Sequence, residues 1–147
     1  MLFNFCRFIL LTLLSLPLLA IAQGEVQLIS TDEVVRLSPQ LKLFRETDNP
    51  LGLFDVKQKL DEFVWQPGDN PNYGFSDKGV WLHTTISNVT DNKQWVIDVA
   101  FTQLEKVDIY VLLGDEVLGH ASQGKIRSNP RFRFPTLKLE LPYAQTI

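Results

Sequence analysis

Past its first two dozen residues the chain repeats apolar side chains with a period of two. That period constrains the fold more than any other feature, because it requires strands with one face on a core and the other toward solvent. Leu41-Lys42-Leu43-Phe44-Arg45 alternates apolar with basic residues. In residues 80–86, Val80, Leu82, Thr84 and Ile86 share one face and Trp81, His83 and Thr85 the other. Trp95, Ile97, Val99 and Phe101 alternate with Val96, Asp98 and Ala100, which predicts a clear core face containing Trp95. Val107, Ile109 and Val111 oppose Lys106, Asp108 and Tyr110. Phe132, Phe134, Leu137, Leu139 and Leu141 form a last run around Pro135, a residue that marks an edge or a bulge. Val26, Leu28 and residues 34–37 open the pattern weakly. Turn-rich stretches at 48–50, 66–73, 88–93, 114–115 and 128–130 separate the runs. One segment breaks the period. Val56, Leu60, Phe63 and Val64 recur at helical spacing, with Asp55 and Gln58 as a capping pair, so the sequence predicts one short helix over 55–64. The expected fold is an all-β antiparallel sandwich of jelly-roll type.

Targeting and charge narrow the function classes. Residues 1–7 carry a single Arg, residues 8–19 are mostly apolar, and Ala20-Ile21-Ala22 gives a small-x-small cleavage pattern before Gln23. Residues 1–22 therefore read as a secretory signal peptide, too short in their apolar run for a spanning helix. Gln23 stands where a lipoprotein needs cysteine. Residues 23–147 form the expected single domain. They contain no cysteine and, without Arg7, one basic residue fewer than the chain's 14 Lys and Arg, against 17 Asp and Glu. That balance excludes a broad basic surface for nucleic acid, and the lack of thiols with only two His removes the usual zinc spacings. No nucleophile elbow, Gly-rich phosphate loop or dense calcium loop is present; Asp69, Asn70 and Asp77 are too sparse for the last. The reading is a non-enzymatic domain with no cofactor and no metal. Asn88-Val89-Thr90 fits a glycosylation sequon and reads as a turn.

A longer constellation identifies relatives. It begins at Asn72-Tyr73-Gly74-Phe75-Ser76-Asp77-Lys78-Gly79-Val80-Trp81-Leu82 and continues in Ile86-Ser87-Asn88, Trp95-Val96-Ile97-Asp98, Leu104-Glu105-Lys106-Val107-Asp108-Ile109-Tyr110 and Arg133-Phe134-Pro135. Over roughly 28–141 these pieces, in order and at compatible spacing, resemble the type-two extracellular domain of bacterial seven-transmembrane receptors with diverse intracellular signalling modules. The resemblance implies a periplasmic sensory domain with a carbohydrate-binding-like jelly roll, joined to seven membrane helices and a cytoplasmic output such as a diguanylate cyclase or histidine kinase. His83 stands where the family usually continues with arginine. Family members also carry at least one further strand past the position of Leu141, so the chain is expected to be a fragment lacking its C-terminal strand and its membrane helices.

Sugar recognition needs an aromatic ring for the C–H face of a pyranose and planar polar groups for paired hydroxyls. Trp65, Tyr73, Phe75, Trp81, Trp95 and Tyr110 are the aromatic candidates; Asp77, Asp98, Asp108, Arg131 and Arg133 are the polar ones. Six of these make the candidate ligand set: Trp81, Tyr110, Tyr73, Asp77, Arg131 and Arg133. Trp81 and Tyr110 share their strand faces with polar groups, which suits either edge packing or a ligand. The turn containing Tyr73 and Asp77 suits either a structural bend shaped by Gly74 or a binding loop. Arg131 and Arg133 suit either a solvated face or a bidentate clamp for a carboxylate or sulfate. The expected partner is a small molecule, a carbohydrate by the resemblance, with a homodimer as a further expectation. Two alternatives stand beside the receptor: a free-standing periplasmic carbohydrate-binding module and a structural dimerisation domain.

Overall fold

The computed structural model describes residues 24–31, 34–66, 68, 73–74, 76–101, 103–125, 134–143 and 146–147. Among the described residues nine strands carry the architecture: β1 (Glu25–Leu28), β2 (Lys42–Arg45), β3 (Val64–Trp65), β4 (Val80–His83), β5 (Thr85–Asn88), β6 (Gln94–Asp98), β7 (Val107–Leu113), β8 (Glu116–Gln123) and β9 (Thr136–Glu140). They form four sheets, β1-β5, β3-β2-β4, β6-β9 and β7-β8. All are antiparallel except β1-β5, which is parallel, with Val26 opposite Ile86. Ile86 also exchanges both backbone hydrogen bonds with Ile147, at 2.7 and 2.8 Å, so β5 is flanked on both edges. The fold is all-β, a sandwich of short sheets.

One core joins three of the sheets. Val26 and Leu28 of β1, Ile86 of β5, Val111 of β7, Leu137 and Leu139 of β9, and Leu141 are buried together, with Trp95, Ile97, Ile109 and Ala121 packed against them. The strict alternation of β6, β7 and β9 produces this. Each contributes every second side chain to the interior, and Trp95 joins it as its alternation requires. Val99 and Phe101 lie beyond the end of β6 and outside the core, Phe101 being exposed, so the core face of that run stops at Ile97. Val34 is also exposed, and residues 34–37 form no strand.

Asn88, at the end of β5, is fully buried and saturates its amide. Its Nδ2 donates to the carbonyls of Asn92 (2.8 Å) and Leu141 (2.7 Å), and its Oδ1 accepts from Thr90 N and Thr90 Oγ1. The sequon is thus a turn with an inaccessible asparagine.

Three expectations are corrected. The run 80–86 is not one strand: it breaks at Thr84, where the chain leaves β2 as a neighbour and takes up β1. Alternation cannot reveal this, since the backbone stays extended across a change of sheet. The helix is shorter and earlier than expected. α1 (Leu53–Lys57) starts after Gly52, whose N–H donates to Asp55 Oδ2 at 3.1 Å, so Asp55 is the third helical residue and not the cap. A separate 3₁₀ turn (Leu60–Glu62) follows, and Val64 belongs to β3. Finally, β8 has no counterpart in the sequence reading. Glu116-Val117-Leu118-Gly119-His120-Ala121-Ser122-Gln123 has neither period nor strand propensity. It is specified by the two-residue hairpin loop Gly114-Asp115, with Gly114 at φ +59°, which folds it back along β7.

A candidate ligand-binding face

Cross-strand neighbours on one face of a sheet stand close enough for their rings to stack. Tyr110 of β7 and His120 of β8 do so, and Trp81 of β4, which belongs to a different sheet, extends the series. Tyr110 and His120 are register partners with centroids 4.3 Å apart and planes 4° from parallel; Trp81 and Tyr110 are offset at 6.3 Å and 21°. Such pairs contribute about 0.5–1.5 kcal/mol each beyond burial. The ladder ties β4 to the β7-β8 hairpin across a boundary that no strand pairing bridges. Tyr110 lies between two rings, so its own faces are engaged. A ligand on this surface meets ring edges, the phenol hydroxyl and the charged groups around them.

Those charged groups are ordered. Glu46, immediately after β2, accepts from the Trp81 indole N–H (2.8 Å) and Leu51 N (2.9 Å) at Oε1 and from Gly79 N (3.1 Å) at Oε2. Burial pushes its carboxyl up, but these three hydrogen bonds and the charge of Lys106 together hold it below the ordinary value. Lys106 also reaches Asp108 Oδ2 at 2.9 Å, and His120 Nε2 lies 3.5 Å from Asp108 Oδ1. Asp108 likewise titrates low: burial acts upward and is outweighed by hydrogen bonds from Ser122 and Lys106, the Lys106 charge, and His120. Two carboxylates therefore stay ionised here, with a lysine acting on both.

The loop that enters β4 is fastened to the same place. Both terminal nitrogens of Arg45 donate to the Tyr73 carbonyl at 3.1 Å, and Glu46 holds Gly79 at the other end. Gly74 takes φ +70°, the left-handed conformation that suits glycine. The turn amide of Lys78 is bonded by Ser76 Oγ at 3.0 Å, while Asp77 is exposed. The Tyr73 hydroxyl is buried without a hydrogen-bond partner, and that burial raises its pKa against the opposing charge of Arg45.

Of the candidate ligand set, Trp81 is bonded to Glu46, Tyr110 stacks on Trp81, and Tyr73 is tied through its carbonyl to the neighbouring Arg45, with Asp77 exposed on the same loop. Arg131 and Arg133, with Asp69, Asn70 and Phe75, lie outside the described residues. Asp98 is taken up by a hydrogen bond from Thr136 Oγ1 at 2.6 Å. Trp65 stands apart with Lys42 over its ring, 5.1 Å from the centroid. Sequence reasoning passed over Glu46 and His120. The partners of Glu46 lie 5, 33 and 35 residues away, so no local pattern announces it, and His120 sits in the strand that lacked a signature. Among the described residues no group of three His, Cys, Asp or Glu is placed to hold a metal ion, and no helix is long and apolar enough to cross a membrane.

An all-β domain that turns a ladder of rings and fixed charges toward solvent has the make-up of a recognition module. The model of one family, described as 7TMR-DISM extracellular 2, matches residues 38–147. The chain belongs to that family, and is thereby an extracellular sensory domain of the seven-transmembrane receptor class. No curated protein and no solved structure gives a significant match.

Proposed function

We propose that the domain acts on the periplasmic side of the inner membrane, exported by residues 1–22, and reads a small carbohydrate ligand on the face formed by Trp81, Tyr110 and His120. It passes the result to a membrane bundle and a cytoplasmic output module. One observation carries the reading: the Trp81 indole is bonded to a carboxylate that also holds the backbone amides of Leu51 and Gly79. A ligand hydroxyl that competes for Glu46, or a ring that displaces Trp81, is felt at once in two chain segments outside the ladder. Signalling requires the ligand to favour one receptor state over the other, and a shared carboxylate gives it a means to do so.

The three tryptophans make the test direct, because Trp81 lies on the ladder, Trp95 against the core and Trp65 elsewhere. Titrating ¹⁵N-labelled protein with a panel of mono- and oligosaccharides is expected to move the Trp81 indole signal and leave Trp95 in place, and Tyr110→Leu is expected to abolish the response. Sugars that leave Trp81 unmoved would remove the carbohydrate assignment. Self-association in their absence would favour a dimer contact instead.

A further inference from the structure

The second feature of interest lies where the chain changes sheets. The β2 ladder ends at Lys42 opposite His83, the β1 ladder begins at Glu25 opposite Thr85, and Thr84 between them is paired in neither. The gap is a cleft of about 150 Å³, lined by Gln40 and Lys42 from one side of the break, Gly24 and Glu25 from the other, and residues 83–85. A single water needs roughly 10–15 Å³ by this measure. The cleft therefore has room for a small molecule and is too small to enclose an oligosaccharide.

Its polar groups are unspent. Thr84 Oγ1 is buried with no hydrogen-bond partner. Among the described residues the Glu25 carboxylate has no hydrogen bond or ion pair, and Lys42 rests its ammonium on the Trp65 ring and not on a carboxylate. One cation and one anion thus share a small cleft without neutralising each other. His83 adds no second positive charge near neutral pH, since burial, reinforced by the Lys42 charge, pushes its pKa below the ordinary value. A ligand of either single sign meets one attraction and one repulsion here. A neutral ligand leaves both charges unanswered.

We propose that this cleft binds a small zwitterion of the α-amino acid type, with its carboxylate toward Lys42 and the Thr84 hydroxyl and its ammonium toward Glu25. The cleft shares no lining residue with the ladder, although His83 follows Trp81 by two residues on β4. It also carries its own reporter. Trp65 packs over Gly24, so closely that a Cβ at that glycine would stand 2.5 Å from Cη2, and it lies beneath Lys42. Any ligand drawing on Lys42 changes the surroundings of that indole.

The test is a titration of the ¹⁵N-labelled protein with each of the common L-amino acids to about 10 mM, which detects affinities as weak as about 1 mM. At least one is expected to shift the Trp65 indole signal while Trp95 stays in place. Its N-acetyl derivative and its α-amide, each lacking one charge, are expected to bind at least about tenfold weaker, about 1.4 kcal/mol. Glu25→Gln and Lys42→Gln should weaken binding similarly, with an unmoved Trp95 signal showing that the fold is intact. The proposal is overturned if no amino acid moves Trp65, if the singly charged derivatives bind as well as the parent, or if neutral sugars occupy the cleft instead. Trp81 reads the ladder separately, so the failure of either site is distinguishable from the failure of the other.

Discussion

Two regions of this domain solve the problem of staying folded differently. Around β1, β5, β6, β7, β8 and β9 one set of apolar side chains forms a shared interior, with Val26, Leu28, Ile86, Val111, Leu137, Leu139 and Leu141 all buried and mutually packed, while Val96, Val117 and Leu118 stay exposed on the outer faces. The three-stranded region β3-β2-β4 leaves Val64 62% and Leu82 43% exposed, although both are register partners of the buried Leu43. Its rings are organised by specific contacts. Phe44 stacks on Phe63 at 5.5 Å, Lys59 lies over Phe44, Lys42 over Trp65, and Glu46 holds Trp81. The first region is stabilised by area removed from water, which is large and insensitive to detail. The second relies on directed contacts that are individually small and easily rearranged, which suits a surface that must respond to a ligand.

The contrast is sharpest for single truncations. Leu141 has no exposed surface, and Leu141→Ala is expected to lower unfolding free energy by about 2–5 kcal/mol. The same methylenes removed from the half-exposed Leu82 should cost less than about 1 kcal/mol. Urea titrations of the two variants measure the difference directly. Equal losses would mean that the small sheet is buried in solution by something else, and the distinction between the regions would fall.

Next in size is Asn88. Asn88→Ala removes four hydrogen bonds at once and leaves the Leu141 carbonyl in the core without its donor, so a loss of about 1–3 kcal/mol is expected. The cost comes from unsatisfied groups and not from lost area. Asn88→Asp should therefore rescue nothing, because it keeps the acceptor to Thr90 but cannot donate to Asn92 or Leu141. A stable Asp variant would show that the turn is held by other contacts.

The same contrast explains what the sequence disclosed. In the core region every second residue of β6, β7 and β9 is apolar, so strand, face and burial of Trp95 can all be read from alternation. In the small sheet they cannot. Leu82 alternates like a core residue and is exposed, and Trp81, on the face left to polar groups, is fixed by a glutamate 35 residues earlier. The break at Thr84 is invisible because both halves are extended, and β8 because a glycine turn and a neighbour specify it. The ladder was legible only as two separate aromatics. Its third ring and its anchoring carboxylate depend on contacts that no periodicity encodes.

Glu46 supplies a smaller effect that tests the small sheet's reliance on directed contacts. Gly79→Ala would drive a methyl group into the Glu46 carboxylate, displacing it without altering its charge. The Trp81 indole signal is expected to move substantially, with a stability change of about 1 kcal/mol, the worth of the hydrogen bonds involved. Because the folded pKa of Glu46 lies below its ordinary 4.5, its contribution is complete above that value and is lost as the pH falls through the folded pKa. The variant should show a shallower loss of stability on acidification. An unmoved indole would mean that Glu46 does not position Trp81.

The smallest predicted effect concerns His83, which stands at the junction of the two regions with Lys42 as its register partner and Phe63 edge-on to its ring at 6.0 Å. Burial, and then the Lys42 charge, lower its folded pKa below the ordinary 6.5. As the pH falls below 6.5 the unfolded chain takes up this proton before the folded one does, so unfolding gains protons and stability declines. The decline begins in the mildly acidic range and ends once the pH has passed the folded pKa. Urea midpoints at about pH 7.5 and about pH 5.5 bracket the window in which an unperturbed histidine changes charge. The native chain should have the lower midpoint in acid, and His83→Gln, which cannot titrate, should narrow the gap. If the gap is unchanged, His83 is solvated in both states, and the junction beside Thr84 is more open than its packing against Phe63 requires.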